Sequence, residues 1–226
     1  ISNISHDFRS PLTSIKGYIE AIQDGTIPPE KQSHYLDIVV QQTNRLTKLT
    51  SSLLELNNYD SYGIWLVCKD FDIVDLVLSA INSFEGRCIE KKISLRLNNH
   101  TEHSIVHADK TKIEQVIYNL LDNAIKFTSE NKSIYVTLTE KHDKIFVSVK
   151  DEGCGIPKES LNRVWVRFYK ADHSRGKDKQ GTGLGLAITK EIIKAHNENI
   201  NVVSTEGVGS EFTFSLSKAT TDSEQS

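Results

Sequence analysis

An apolar seam over the first sixty residues limits this chain most. Ile1, Ile4, Phe8, Pro11, Ile15, Tyr18 and Ile22 alternate steps of three and four, the spacing of one helix face. The stretch "DGTIPPE", residues 24–30, interrupts it: Gly25 can end one helix and Pro29 can open the next. Leu36, Val39, Thr43, Leu46, Thr50, Leu53 and Asn57 then resume the alternation, and Leu49, Leu54 and Leu56 widen it. At ~1.5 Å per residue the second helix is expected to run ~45 Å. A bare hairpin leaves such stripes wet, and pairing two hairpins into a four-helix bundle buries them. Residues 1–62 are therefore expected to form a homodimerisation element; a stalk folding against its own C-terminal domain is the alternative.

The 226 residues are 38% apolar and 25% charged, as in a soluble globular protein. A net charge of −3 gives no bulk electrostatic case for nucleic acid or an anionic membrane, and neither is expected as a partner of this fragment. Cys68, Cys88 and Cys154 are widely separated, which predicts reduced thiols and a cytoplasmic setting. His100, His103 and His107 read as a solvated loop, since no carboxylate or cysteine completes a metal motif. No apolar run approaches the ~20 residues that cross a bilayer. The chain starts at Ile1 and contains no methionine, so a fragment is expected, and a preceding portion could carry a plasma-membrane anchor.

His6 lies about 160° round the helix from both Ile4 and Phe8, so it should face solvent. Asp7 is beside it. Pro11 removes an amide donor, which should loosen the helix one turn after His6. An exposed imidazole next to a carboxylate suits a nucleophile that another domain must reach, although in isolation a surface histidine of no consequence is the better reading.

After residue 62 the pattern changes. Short strands are expected at 64–68, 93–98 and 104–107, with a helix over 72–91. Asp109 should cap a helix from Lys110 to about Phe127. Alternating strands follow at Ile134–Leu138 and Ile145–Val149, then a glycine- and charge-rich segment over 152–182, a helix over 183–196, and a closing strand pair around "TEGVGS". Helices interleaved with mostly antiparallel strands predict a two-layer α/β sandwich over 63–218, hence an α+β chain overall. Residues 219–226 are expected to be a disordered tail.

Three segments of this second part carry candidate chemistry. Asn119, Asn123 and Lys126 cluster at the edge of the buried face of the 110–127 helix; they suit Mg²⁺ and phosphate, or form a polar border. Asp151 continues the buried parity of Ile145, Val147 and Val149. A buried carboxylate needs a hydrogen-bond donor, such as an adenine amino group, unless it merely caps a turn. Gly153 and Gly155 follow it and permit close approach of a flat ligand. "GTGLGL", residues 181–186, opens a helix and can offer amides to an anion.

"NLLDNAIKF", "DEGCGIP" and "GTGLGL", in this order behind a His-Asp helix, resemble the sensor histidine kinases of two-component systems over residues 1–217. The second part resembles the wider gyrase, heat-shock and mismatch-repair ATPase fold. The resemblance implies that His6 accepts phosphate from ATP, that Asp7 assists proton transfer, and that an aspartate on a response-regulator receiver domain then takes the phosphoryl group. It implies an asparagine box of Asn119, Asn123 and Lys126, with Asn119 on Mg²⁺ and Phe127 against the nucleotide. It implies adenine recognition by Asp151, phosphate contact by Lys170 in "RFYK", and a second glycine box of Gly181, Thr182, Gly183, Leu184 and Gly185. Residues 156–180 would be a mobile lid over ATP. Ser10 stands where the family usually has Thr or Asn, at the position implied in positioning water for phosphatase activity. Trp165 and Val166, and Glu152 and Cys154, also depart from the common pattern without removing a ligand group. A catalytically silent, nucleotide-binding dimeric scaffold is the alternative function; a gyrase-type ATPase would leave the His6 hairpin without purpose.

Overall fold

The computed structural model describes residues 2–170 and 181–219, with side chains from residue 5 onward. Two long helices come first, α1 (Ser2–Gln23) and α2 (Pro29–Tyr62). The turn between them closes as its residues dictate. Asp24 Oδ1 accepts the Thr26 amide at 2.9 Å, Gly25 takes φ +77°, and Pro29 occupies the first helical position. Pro11 lies inside α1 without ending it.

Strand β1 (Lys69–Asp72), helix α3 (Ile73–Glu90), strands β2 (Ser94–His100) and β3 (Ile105–Ala108), and helix α4 (Lys110–Phe127) follow. Then come β4 (Ser133–Lys141), β5 (Lys144–Asp151), helix α5 (Gly185–Ala195), β6 (Ile200–Thr205) and β7 (Gly209–Ser217). The main sheet has the order β2-β4-β5-β7-β6, parallel at β2–β4 and antiparallel elsewhere; β1 and β3 form a separate antiparallel pair. Ile134, Val136, Leu138, Ile145, Val147, Val149 and Phe214 on one sheet face bury against Ile113, Ile117, Leu120, Ile188 and Ile192 of α4 and α5. This is the expected two-layer sandwich.

Two aspartates start the helices. Asp72 caps α3 through the Val74 and Asp75 amides. Asp109 caps α4 through the Lys112 amide at 3.1 Å. Its other oxygen, Oδ2, accepts the Val67 amide at 2.9 Å. That bond explains the one misplaced strand. Residues 64–68 are extended but unpaired, because Lys69 already faces Ala108, and beyond Ala108 the chain turns into α4. The apparent alternation there leaves Ile64, Leu66 and Cys68 only partly buried and Trp65 87% exposed. Ala219, placed in the expected tail, donates its amide to the Ile105 carbonyl at 3.0 Å; residues 220–226 lie outside the described residues.

Helix α2 spends its apolar residues in two directions. Leu49 and Leu56, expected to widen the bundle seam, are instead buried in the same core as the sheet and α4. Leu36, Val40 and Leu54 on α2 and Leu12 and Ile19 on α1 remain exposed. The seam positions Ile15, Tyr18, Ile22, Val39, Leu46 and Leu53 are half-buried, and Tyr18 stacks on Tyr35 at 5.2 Å. Because Leu56 has no exposed surface, Leu56→Ala should lower unfolding free energy by about 2–5 kcal/mol. Urea denaturation checks this; an unchanged midpoint would mean that α2 does not pack on the sandwich.

Candidate functional site

A cavity of about 880 Å³ opens between α2 and the C-terminal half of α4. Asn119, Asn123, Lys126 and Phe127 line it from α4, Asp151 and Gly155 from the end of β5, and Lys170, Gly181, Thr182, Gly183 and Gly185 from the segments before α5. The structure thus gathers three sequence segments at one concavity. His6, Asp7 and Ser10 are on α1, outside its lining, and Gly153 and Leu184 are also outside it, each bonded through its amide to a lining residue, Asp151 and Thr182.

Each wall has a local cause. Asn119 donates Nδ2 to the Gly185 carbonyl at 3.2 Å and to Thr189 at 3.4 Å, which ties α4 to the first turn of α5. A side chain at Gly185 would put its Cβ 3.4 Å from Asn119 Oδ1. Lys126 Nζ lies 5.4 Å from the centre of the Phe127 ring. Gly183, at φ +69°, accepts the Phe168 amide at 2.9 Å and leaves only 3.0 Å between a Cβ and Phe168. The glycine turn and the "RFYK" segment therefore pack backbone to backbone, and Lys170 is delivered to the cavity wall. Thr182 Oγ1 accepts the Leu184 amide at 3.3 Å. Leu184 is fully buried and belongs to the hydrophobic core.

The first glycine pair has a structural role that its sequence did not announce. A Cβ on Gly153 would sit 2.6 Å from Asp151 Oδ1, and one on Gly155 would sit 2.1 Å from the Thr205 carbonyl in the β6–β7 turn. Both glycines make room for protein atoms. Asp151 itself is only 6% exposed. Its Oδ1 accepts the Gly153 amide at 2.8 Å. Burial pushes its carboxyl up to about 6, against the opposing pull of the Gly153 and Ser210 backbone hydrogen bonds and Lys132.

At the other end, His6 is exposed, with 81% of its side chain accessible, and its Nδ1 lies 3.8 Å from Asp7 Oδ1. Asp7 Oδ2 lies 3.1 Å from Lys170 Nζ, and both of those side chains are only 16% exposed. Lys170, expected at phosphate, here reaches the turn that carries His6 and Asp7. Arg167, three residues earlier, forms a bidentate pair with Asp60 of α2, both bonds 2.6 Å. Nearby, Glu55 of α2 accepts from Lys112 at 3.2 Å and from Gln115 at 2.9 and 3.1 Å, and bonds Tyr59. Burial, then Glu55, raises the Tyr59 phenol.

Sequence reasoning missed the α2 wall of the cavity: Gln41, Arg45, Lys48 and Ser52. Their spacing of four, three and four is a polar stripe on the helix, and that periodicity was the available signal. Lys48 and Arg87 both approach Asp122, at 4.0 and 2.7 Å.

Two family models match. Residues 108–220 match the histidine kinase-, DNA gyrase B-, and HSP90-like ATPase family, and residues 1–61 match the His Kinase A (phospho-acceptor) domain. The chain belongs to the sensor histidine kinase family. Among curated relatives, sensor histidine kinase WalK of Bacillus subtilis is 34% identical over 96% of this chain, and sensor protein SrrB of Staphylococcus aureus is 35% identical over 96%. This chain covers 36% and 37% of their respective lengths. The Acinetobacter baumannii histidine kinase AdeS superposes with a TM-score of 0.78 at 26% identity, covering 95% of this chain and 98% of that one. Histidine kinase ThkA, solved in complex with response regulator protein TrrA, gives 0.79 at 28% identity, covering 96% and 60%. As in the wider ATPase family, ATP is the nucleotide used. No helix among the described residues is long and apolar enough to cross a membrane.

The buried carboxylate of this kinase fold has a measurable pH signature. Because the folded-state pKa of Asp151 is raised from the usual 3.8 to about 6, ionising it opposes folding. The stability it permits when protonated is complete below about pH 4 and is lost as pH rises through 6. Asp151→Asn should remove this component, on the order of 2–3 kcal/mol. Denaturation at pH 4 to 8 should show a smaller decline for the variant than for wild type; parallel curves would mean that Asp151 ionises without cost.

Proposed function

We propose that this chain is the kinase core of a two-component sensor: residues 1–62 dimerise and carry the phospho-acceptor, residues 63–218 bind ATP, and the phosphoryl group passes from His6 to a response-regulator aspartate. The observation that carries this reading is the join between the cavity and the His6 turn. Lys170 lines the cavity and touches Asp7, whose other oxygen faces His6 Nδ1. A nucleotide in that cavity would hold its terminal phosphate beside an exposed imidazole.

The roles follow from the chemistry. Asp7 faces Nδ1, which leaves Nε2 as the attacking nitrogen. Asp151 is proposed to accept the adenine amino group, and Gly153 holds the carboxylate in place by its amide. Phe127 lines the cavity beside the proposed nucleotide, and Asn123, Lys126, Lys170, Gly181, Thr182, Gly183 and Gly185 surround the proposed phosphates. Among the described residues no cluster of three His, Cys, Asp or Glu side chains could hold a metal ion. Mg²⁺ would therefore be shared with phosphate oxygens, as it prefers. Asn119 suits the ion, since its NH₂ is committed to Gly185 and its amide oxygen is the ligand atom left to it. When bound, the ion neutralises phosphate charge.

The exposed row Leu12, Ile19, Leu36 and Val40 supports dimerisation into a four-helix bundle. The solved ThkA complex with a response regulator supports a receiver domain as the next acceptor. Ser10 is exposed one turn beyond His6, and ordering of water for phosphate removal is proposed for this position. No observation favours the silent-scaffold alternative, since His6, Asp7 and Asn119 are all present.

Incubation with γ-labelled ATP and Mg²⁺ should give acid-labile, base-stable label on wild type. His6→Gln should abolish it while ATP affinity by calorimetry stays within about twofold, roughly 0.4 kcal/mol. Label persisting on the variant would move the phospho-acceptor elsewhere.

A further inference from the structure

We infer that the ATP site of this chain phosphorylates His6 of the same chain and not that of a second copy, an inference that rests on the kinase reading above. The contact between cavity and phospho-acceptor turn is made within one polypeptide. Lys170 Nζ meets Asp7 Oδ2 at 3.1 Å, and the two side chains shield each other from solvent. The segment that delivers Lys170 is held on the glycine turn by the Phe168–Gly183 hydrogen bond, so the cavity's phosphate end and the His6 turn are joined.

Three further ties, again within one chain, fix that approach. Arg167 grips Asp60 with two bonds of 2.6 Å. Glu55 gathers Lys112 and Gln115 from α4. Leu49 and Leu56 are buried in the ATP-binding sandwich. The linker between Tyr62 and Lys69 has only residues 63–68, and Val67 is pinned to Asp109 at 2.9 Å. Six extended residues span at most ~20 Å. Carrying the cavity away from its own histidine would break the Lys170–Asp7 contact and strain the ties that hold the sandwich on α2. Reaching its own requires Lys170 to exchange Asp7 for phosphate, a small side-chain movement.

The step balances within this geometry. The lone pair of His6 Nε2 forms the nitrogen–phosphorus bond, and the bond between the γ-phosphorus and its bridging oxygen breaks. ADP leaves with that electron pair. The proton on Nδ1 passes to the Asp7 carboxylate, which lies 3.8 Å away and is released from Lys170 when that amine turns to phosphate.

Two differently tagged, co-purified heterodimers decide the matter, using γ-labelled ATP and Mg²⁺. The first pairs a His6→Gln chain with an Asn119→Ala chain; the second pairs wild type with the double variant. Phosphorylation within a chain gives label in the second only, on the wild-type subunit and at about half the homodimer yield. Label on the Asn119→Ala subunit of the first, with none in the second, overturns the inference. If Asn119→Ala fails to fold, Asp151→Asn replaces it. If the chain proves monomeric, a labelling rate per chain that is independent of protein concentration supports the inference, and one that rises with concentration overturns it. Absence of label on the wild-type homodimer would instead remove the kinase reading itself.

A second measurement needs no catalysis. With Cys68, Cys88 and Cys154 replaced by serine, Asp7→Cys and Lys170→Cys in one chain should be joined within that chain by a bifunctional thiol reagent whose reach, about 8 Å, matches the two side chains that now meet at 3.1 Å, since a direct disulfide needs the Cβ atoms within about 4.5 Å. A cross-linked dimer, or no cross-link at all, counts against the docked arrangement.

Discussion

Asp109 is the residue on which the arrangement of the rest depends. One oxygen caps α4, the other takes the Val67 amide of the linker, and its own amide donates to His196 Nε2 at the end of α5. His196 in turn directs Nδ1 at the Ile192 carbonyl, 2.8 Å away, which fixes the hydrogen on that nitrogen. One buried residue thus sets where α4 begins, where the linker leaves α2, and how the far end of α5 sits. The cavity lies between α4 and the opposite end of α5, so its width follows from that register. Asn119 closes the frame at the near end through Gly185.

The electrostatics divide along the cavity. At the end defined by Asp151 the carboxyl is buried, and burial raises it to about 6. The end toward Lys170 and the α2 stripe is basic: Arg45, Lys48, Arg87, Lys126 and Lys170 all line it. A ligand with a neutral, donor-bearing ring and a polyanionic tail matches that polarity end for end. The basic residues do not all come from the ATPase fold, since Arg45 and Lys48 belong to the hairpin. Both parts of the chain thus line the same cavity.

Periodic and capping features were legible in the sequence. Helix and strand periods gave the hairpin, the sandwich and the burial of Asp151, because local geometry repeats within a few residues. Asp109 as a cap was legible for the same reason. The strand at 64–68 was not, because alternation states which face is apolar and is silent on whether an edge is available for pairing. Leu49 and Leu56 were assigned to the wrong neighbour, since a stripe does not name its partner. The pairing of Lys170 with Asp7 joins residues 163 positions apart, and no local pattern carries it. Gly153 and Gly155 were visible as glycines, but the atoms they make room for lie at Asp151 and Phe127 and in the β6–β7 turn.

The two-sided use of α2 has a mechanical consequence. Leu49 and Leu56 engage the sandwich, while Leu36, Val40 and Leu54 face outward toward the proposed second copy. With the proposed second copy in place, α2 is meshed on both flanks and cannot turn about its own axis without shearing one set of contacts. Torque entering at the hairpin is therefore not dissipated along ~50 Å of rod. It arrives at Asp60 and the linker as a displacement of the ATP-binding sandwich, with α2 acting as a shaft whose slack has been removed.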